Sequence, residues 1–281
     1  MSTDFRYPGN YWALVLGASS GFGGATAIEL ARRGMSIFGV HLDRAASMPN
    51  VERIIKTIEE AGSRAVFFNI NASDAAKRSE TLDAIQAQFS KDPSATVRVL
   101  LHSLAFGTLK PYIGKSADQM LTQAQVEMTL DVMANSLVYW TQGVVVRNLM
   151  KPGGKIFALT SSGGHNVLPN YGAVSAAKAA LESHVRQLAF ELGSYHITAN
   201  SIMAGVTHTP ALQKIPGAVK MLAIAKAKNP RDRNTTPEDV ARAIALLSHD
   251  AADWISGSVI GVDAGEDIVS YIGQKSATEL E

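Results

Sequence analysis

The chain has 281 residues, of which 46% are hydrophobic and 18% charged, a composition that supports a sizeable core and excludes extensive disorder. The 26 basic residues nearly balance the 25 acidic ones, giving a formal charge of +1, which argues against nucleic-acid binding. The absence of cysteine excludes disulfides, thiolate catalysis and Cys-ligated zinc, and the 7 histidines show no metal-ligand spacing. Without a long apolar stretch or an apolar targeting core in residues 1–10, we expect no membrane segment and a cytoplasmic protein.

Short apolar runs alternate with longer helical patterns, which is typical of βαβ units in a parallel sheet. Strands are predicted over residues 12–16, 36–40, 65–68, 97–101, 155–159, 198–202 and 258–262. Helices are predicted over residues 23–33, 51–61, 74–89, 126–148, 171–193 and 237–248. Thr236 can cap the last helix, and Pro237 suits its first turn. The pattern predicts an α/β, doubly wound parallel sheet of about seven strands with helices on both faces.

Residues 207–235 break this rhythm because they are too many for a simple connection. Segments of this kind are often lids over a site, so we predict a helical substrate lid there. We further predict an N-terminal extension at 1–10 and a C-terminal tail at 267–281, all within a single domain spanning 1–281.

A glycine-rich turn lies between the first predicted strand and the first predicted helix. Glycines let the backbone turn tightly and approach a pyrophosphate, which then binds helix N-terminal amides. An ordinary glycine-rich turn is the alternative, but the flanking strand and helix are the context that a dinucleotide site requires. The pattern predicts a Rossmann-type dinucleotide site formed by Gly17, Ser19, Ser20, Gly21, Phe22 and Gly23.

The end of the second strand, where selection between NADH and NADPH is expected, carries Leu42, Asp43 and Arg44. Leu42 stands where an acidic residue would hold both ribose hydroxyls. Arg44 can pair with a 2′-phosphate, although the Asp43 carboxylate beside it would repel that group. A solvated surface charge is the alternative for Arg44. We predict NADPH as the preferred cofactor, with NADH as the alternative.

The start of the predicted helix at 171–193 carries two residues suited to catalysis. Tyr171 and Lys178 return to nearly the same helix face, at roughly 100° per residue. An ammonium there can bind a cofactor ribose and stabilise negative charge near the phenol, which is otherwise a poor acid. Together with Ser161, just past the fifth strand, they form the predicted catalytic group. Ser162 is the alternative hydroxyl, and turn capping is the alternative role for Ser161.

These motifs resemble the short-chain dehydrogenase/reductase superfamily over residues 10–266. Ordinary members place Tyr four residues before Lys, where this chain has Val174. A Tyr seven residues before Lys is similar to the enoyl-acyl carrier protein reductases, and Met133 in place of the Asn of carbonyl reductases also favours that branch. Many enoyl reductases lack this glycine turn, and many have a second Tyr where this chain has Ser161. The subgroup with both the turn and Tyr-x6-Lys commonly uses NADPH.

Residues 102–106, 204–209 and 262–265 also carry the resemblance. It implies further cofactor contacts at Asn69, Ile70, Ser103, Leu104, Ala105, Leu159, Lys178, Gly205, Thr207 and Thr209. It implies substrate contacts at Phe106, Tyr171, Met221 and Leu222. A homotetramer that uses the long helices at 126–148 and 173–192 is implied as well.

The activity that the resemblance implies is NAD(P)H-dependent reduction of the C=C bond of a trans-2-enoyl thioester in fatty acid synthesis. Tyr171 would hydrogen-bond the thioester oxygen as charge develops, and Lys178 would anchor the ribose. The lid carries six basic residues and one acid around apolar positions, which suits an acyl group on acyl carrier protein or coenzyme A. A solvated amphipathic helix is the alternative for the lid.

Two other functions remain open at this point. One is a carbonyl or alcohol oxidoreductase of the same superfamily, which Val174 and Met133 disfavour. The other is a non-catalytic NADP-binding regulator, which would have no need of Tyr171, Lys178 and Ser161.

Overall fold

The computed structural model describes residues 5–270, which form one seven-stranded parallel sheet flanked by helices. The strands are β1 (Tyr11–Leu16), β2 (Ser36–His41), β3 (Ala65–Asn69), β4 (Thr96–His102), β5 (Lys155–Thr160), β6 (Thr198–Ala204) and β7 (Val259–Val262). The helices are α1 (Gly21–Arg32), α2 (Met48–Glu60), α3 (Ala75–Phe89), α4 (Gln123–Leu130), α5 (Ser136–Val146), α6 (Gly172–Leu192), α7 (Pro210–Gln213), α8 (Ala218–Lys228) and α9 (Pro237–Leu247). The predicted seven-stranded, doubly wound fold is confirmed.

The strand order β3-β2-β1-β4-β5-β6-β7 reverses direction between β1 and β4. In open parallel sheets, ligands bind beyond the carboxyl ends of the strands at such a reversal. The glycine-rich turn that follows β1 and the loop that follows β4 both start at this point. The topology therefore places the predicted dinucleotide site at the switch point.

Two apolar layers hold the helices on opposite faces of the sheet. One layer joins α1, α2 and α9 through residues that include Leu30, Ile54 and Ile244, all fully or almost fully buried. The other joins α5 and α6 through residues that include Trp140 and Leu181. Burying such side chains stabilises the fold by about 1.5–3 kcal/mol each.

The single helix predicted at 126–148 is wrong, because the structure divides it into α4, a π-turn (Asp131–Asn135) and α5. A capping box between Thr122 and Gln125 starts α4. The Ser136 hydroxyl donates to the Val132 carbonyl at 2.8 Å and so satisfies a backbone oxygen within the wider turn. The π-turn holds three buried apolar residues, Val132, Met133 and Ala134, and no Gly or Pro, which is why the sequence pattern showed no break there.

The chain ends differ in part from the predicted segments. Residues 5–10, predicted as an extension, pack on the domain: the Tyr7 hydroxyl donates to the Ala245 carbonyl at 2.5 Å, and the Arg33 guanidinium lies 4.4 Å from the Phe5 ring centre. Residues 1–4 and 271–281 of the predicted extension and tail lie outside the described residues. Within 5–270, no helix is both long and apolar enough to cross a membrane.

Candidate active site

The turn after β1 is shaped by close backbone contacts. Gly17 has a φ of 91°, and a side chain there would collide with the Ser103 carbonyl of the β4 loop. A side chain at Gly23 would collide in turn with the Gly17 carbonyl. Ser20 stands at the start of α1 without a side-chain capping bond, so the first amides of α1 remain open to an anion. This cradle fits the pyrophosphate of a nicotinamide dinucleotide.

A cavity of about 600 Å³ lies next to this turn, beyond the carboxyl ends of β4, β5 and β6. The predicted site residues in its wall are Phe22, Ser103, Leu104, Ala105, Leu159, Ser161, Tyr171, Lys178, Gly205, Thr207, Thr209 and Met221. Residues from the loops after β4, β5 and β6 and from the helices α1, α6 and α8 therefore meet at one place.

Tyr171, Ser161 and Lys178 lie together in the cavity wall. The Ser161 hydroxyl lies close enough to the Tyr171 phenol to lower the pKa of the phenol, and the Ser161 Oγ accepts the backbone N–H of Gly163 at 3.1 Å. Ser161 therefore caps a turn and contacts the phenol at once, whereas Ser162 lies in the short 3₁₀ turn that Ser161 caps. The Lys178 ammonium donates to the Leu159 carbonyl at 2.6 Å, which fixes it beneath the cavity floor at the end of β5.

Burial changes the protonation of both catalytic candidates. Burial raises the pKa of the Tyr171 phenol, and the hydrogen bond with Ser161 lowers it by less. Burial lowers the pKa of Lys178 to about 8, although the Glu182 carboxylate opposes this change. At neutral pH the phenol is thus a hydrogen-bond donor and the ammonium is charged.

The loop after β2 holds Asp43 firmly beside the glycine turn. The Asp43 carboxylate lies 3.0 Å from His41 Nδ1, and its backbone is paired with the Asn69 side chain by bonds of 3.0 and 2.9 Å. Burial raises the pKa of Asp43, but hydrogen bonds from Ser19, Ser47 and His41 outweigh it and leave the pKa below its ordinary value. Arg44 is exposed and makes no ion pair with any residue of 5–270.

Several predicted residues stand outside the cavity wall. Phe106 is 61% exposed, Leu222 accepts the Asn234 side-chain amide with its backbone carbonyl, and neither lines the cavity, so the substrate contacts of these two residues stay predictions. Phe106 follows the loop residues that do line the cavity, and Leu222 follows Met221, so each is one position away from the wall. Sequence spacing in a loop or short helix does not resolve such a difference. The predicted residues Gly17, Ser19, Ser20, Gly21, Gly23, Arg44, Asn69 and Ile70 belong to the turn and strand ends beside the cavity.

Two buried groups near the site were not predicted from the sequence. His102, at the end of β4, has Nε2 2.8 Å from the Ser136 hydroxyl and an Nδ1 without a hydrogen-bond partner among residues 5–270. Burial, followed by the positive charge of Lys178, lowers the pKa of His102 to about 3, so the ring is neutral. Glu266 is the second group, and it lies in the cavity wall directly after the Asp-Ala-Gly sequence that follows β7. Its position beside that motif is the signal that could have found it.

The switch-point turn, the parallel sheet and the group of Tyr171, Ser161 and Lys178 define a nicotinamide-dependent oxidoreductase of the short-chain dehydrogenase/reductase class. The family model that matches the chain over residues 17–266 is described as enoyl-(acyl carrier protein) reductase. The chain belongs to this family.

Similar proteins include both enoyl reductases and alcohol dehydrogenases. An enoyl-acyl-carrier-protein reductase (NADH) of Nostoc sp. is 31% identical over 78% of this chain and 81% of its own length. A cyclohexanol dehydrogenase of Rhodococcus sp. is 29% identical over 90% of this chain and 94% of its own. The crystal structure of an enoyl-acyl-carrier-protein reductase (NADH) from Aquifex aeolicus matches with a TM-score of 0.79 at 25% identity, over 93% of this chain and 98% of that one.

Proposed function

We propose that this chain reduces the C=C bond of a trans-2-enoyl thioester with NAD(P)H, as an enoyl-acyl carrier protein reductase of fatty acid synthesis. The observation that carries the proposal is the wall around Tyr171. Val174, four residues before Lys178, and Met133, in the π-turn, present apolar side chains to the cavity. A carbonyl reductase of this class would have its acid and its relay amide at those two positions. An apolar wall with one phenol suits polarisation of a thioester oxygen.

The bound cofactor supplies the hydride. The protein stabilises the negative charge that develops on the thioester oxygen during the reaction. The Tyr171 O–H donates a hydrogen bond to that oxygen, and Ser161 orients the phenol. A phenol whose pKa is raised by burial stays protonated, which favours donation over the base role that alcohol oxidation requires. The Lys178 ammonium adds positive charge and, tied to the Leu159 carbonyl, is placed for the ribose hydroxyls. Leu109, Leu168, Ile215 and Ile224 line the cavity and would cover an acyl chain.

The test is a comparison of two four-carbon thioesters on one carrier, a trans-2-enoyl and a 3-oxo compound. We expect the loss of reduced-cofactor absorbance with the enoyl thioester and little with the 3-oxo thioester. Turnover of the 3-oxo thioester alone would contradict the proposal and assign the chain to the carbonyl reductases. Binding of the cofactor without turnover of either would support a regulator.

We further propose that NADPH is preferred over NADH. The exposed Arg44 guanidinium has no ion-pair partner among the described residues, so it is available to a 2′-phosphate. The Asp43 carboxylate, which would repel that phosphate, is engaged by hydrogen bonds from His41 and Ser19. The balance of these two neighbouring charges sets the preference.

Replacing Arg44 by alanine is expected to lower kcat/KM with NADPH by about 10- to 100-fold and to leave kcat/KM with NADH nearly unchanged. The reason is the loss of a charge-assisted hydrogen bond to the phosphate, which contributes about 1.5–3 kcal/mol. Arg32→Ala, which changes an exposed arginine in the last turn of α1 at the far end from the glycine turn, is the matched control. Equal loss with both cofactors, or no loss, would contradict the assignment.

The basic side chains of the lid support the proposal that the thioester is delivered on acyl carrier protein or coenzyme A. Lys214, Met221 and Lys228 all line the cavity. Lys220 is exposed on α8. Arg233 is used differently, because it pairs with the Asp239 carboxylate at the start of α9. The basic side chains that remain near the cavity suit the phosphate of a phosphopantetheine arm or an acidic carrier.

Charge reversal of the lid by Lys214→Glu together with Lys220→Glu is expected to raise KM for a carrier-bound enoyl thioester several-fold. The change should shrink at high salt because surface electrostatics are screened. Lys91→Glu is the control, because this exposed lysine lies in the loop between α3 and β4, at the amino ends of the strands and away from the cavity. An unchanged KM would remove the docking role of the lid.

A homotetramer is part of the proposal. Exposed apolar side chains remain on the two long helices, with Val146 of α5 78% exposed and Phe190 of α6 83% exposed. Contacts between copies would cover them, and light scattering of the purified chain reports the mass directly.

A further inference from the structure

The segment after β7 crosses two loops of the active site and bonds to each. The Glu266 carboxylate accepts the backbone N–H of Val206 at 3.1 Å, in the loop after β6. The next residue, Asp267, lies 3.0 Å from His165 Nε2 and accepts the Asn166 amide at 3.2 Å, in the loop after β5. Two consecutive acids therefore hold the two loops that form one wall of the cavity.

The turn that presents these acids is itself rigidly bonded. The Asp263 carboxylate accepts the backbone N–H of Gly265 at 3.0 Å and that of Asp267 at 2.8 Å. The Asn229 side chain, at the end of α8, donates to the Asp263 carbonyl at 2.9 Å. The lid and the β7 turn are therefore joined, and Glu266 has a fixed direction.

Burying the carboxyl group of Glu266 at this position costs free energy of folding. It is 6% exposed, and its Oε2 makes no hydrogen bond to a residue of 5–270. Burial raises the pKa of Glu266 above its ordinary value, and the nearby Asp263 carboxylate acts in the same direction. The Val206 N–H, the Asn229 side chain and Lys228 lower this pKa by less. If Glu266 only filled space, an apolar side chain at this position would make the fold more stable than a buried carboxyl group does.

The contribution of Glu266 is its hydrogen bond to the backbone of the loop after β6. Residues Gly205 and Thr207, on either side of Val206, face the same cavity as Tyr171 and Lys178, at the reacting end of the site. Gly205 is closely enclosed, since a side chain there would approach Glu266 Oε2 to 3.0 Å. Without an acceptor for the Val206 N–H, this loop would have to move to regain a hydrogen bond.

We propose that Glu266 is a positioning residue that fixes the loop of Gly205–Thr207 against the nicotinamide end of the cofactor, while leaving the adenosine end at the glycine turn untouched. The proposal rests on the proposed use of a nicotinamide cofactor. It goes beyond that function because it assigns a role to an acid outside the Tyr171–Ser161–Lys178 group.

The experiment measures binding by calorimetry for NADPH and for 2′-phospho-ADP-ribose, which has the same adenosine end and no nicotinamide. In Glu266→Leu, which loses the acceptor, we expect NADPH to bind about tenfold or more weaker and the fragment to bind within about twofold of wild type. In Glu266→Gln, which keeps an acceptor oxygen for the Val206 N–H, both ligands should bind as in wild type.

Three results would overturn the proposal. Unchanged NADPH binding in Glu266→Leu would show that the loop needs no acceptor. Equal weakening of both ligands would show general damage to the fold. Wild-type chain that binds neither these ligands nor NADH would remove the cofactor function on which the proposal rests, a failure that is distinct from the first two because it appears before any substitution.

Discussion

Tyr171→Phe is expected to lower kcat for the enoyl thioester by about 100- to 1000-fold, the usual effect of removing one donor to a developing oxyanion. The substitution removes the phenolic O–H and keeps the ring, which is 8% exposed, so the cavity wall and the affinity for the cofactor should be preserved. The measurement is the rate of loss of reduced-cofactor absorbance at saturating substrate, together with calorimetric binding of the cofactor.

Tyr112→Phe is the matched control for this prediction. The Tyr112 ring packs against Gly172, next to the catalytic candidate, but it is about half-exposed and is not part of the cavity wall. The control should retain wild-type kcat. A Tyr171→Phe variant with near wild-type turnover would show that another group donates to the oxygen.

The second large effect concerns Lys178 and pH. Because burial lowers its pKa to about 8, the free enzyme should lose the ammonium charge as pH rises through that value, and kcat/KM should fall above it. Lys178→Met should lower kcat/KM by about 100-fold or more at neutral pH, because both the charge and the ribose donor are lost. Its residual activity should show no fall with a midpoint near pH 8.

The lowered pKa of Lys178 affects activity and stability in opposite directions as pH rises. This difference distinguishes loss of the ammonium charge from unfolding of the protein. The pKa of Lys178 in the fold lies below its ordinary value of 10.5, so between about pH 8 and 10.5 the unfolded chain binds more protons than the folded chain. The contribution of this group to the free energy of unfolding therefore rises with pH in that window, while activity falls. The melting temperature of wild type relative to Lys178→Met should therefore rise between about pH 8 and 10.5, a comparison that cancels the opposite effect of Tyr7 and Tyr171, whose pKa values burial raises. No such rise, or an activity that stays flat to pH 10, would contradict the assignment.

The sequence predicted the strands well because each is a short apolar run between turn residues, and buried parallel strands leave little freedom in such a pattern. The start of α9 was predicted for a similar reason: Thr236 accepts the Asp239 N–H at 3.3 Å, and the capping bond is local. The division of α4 from α5 was not predicted, because the π-turn contains buried apolar residues, Val132, Met133 and Ala134, and no Gly or Pro that would mark a break. Local bonds are visible in a sequence, but a change of helical pitch is not.

The candidate site shows the same contrast between local motifs and distant contacts. Tyr171 and Lys178 could be paired from their spacing on one helix, and Ser161 from its place after a strand. His102 and Ser136 are 34 residues apart and meet only because the end of β4 packs against the start of α5. Glu266 and Val206 are 60 residues apart and meet because β6 and β7 are neighbours in the sheet. Contacts of this kind depend on the sheet order, which the sequence pattern left undetermined.

The most direct test of the central claim is the position to which the hydride goes. A trans-2-enoyl thioester is incubated with wild-type enzyme and reduced cofactor that carries deuterium at the transferred position, and the product is examined by mass spectrometry and NMR. A saturated thioester with deuterium on the β-carbon is the predicted result. Recovery of the enoyl thioester unchanged, while a ketone supplied in parallel gains deuterium on its carbinol carbon, would contradict enoyl reduction and identify the chain as a carbonyl reductase.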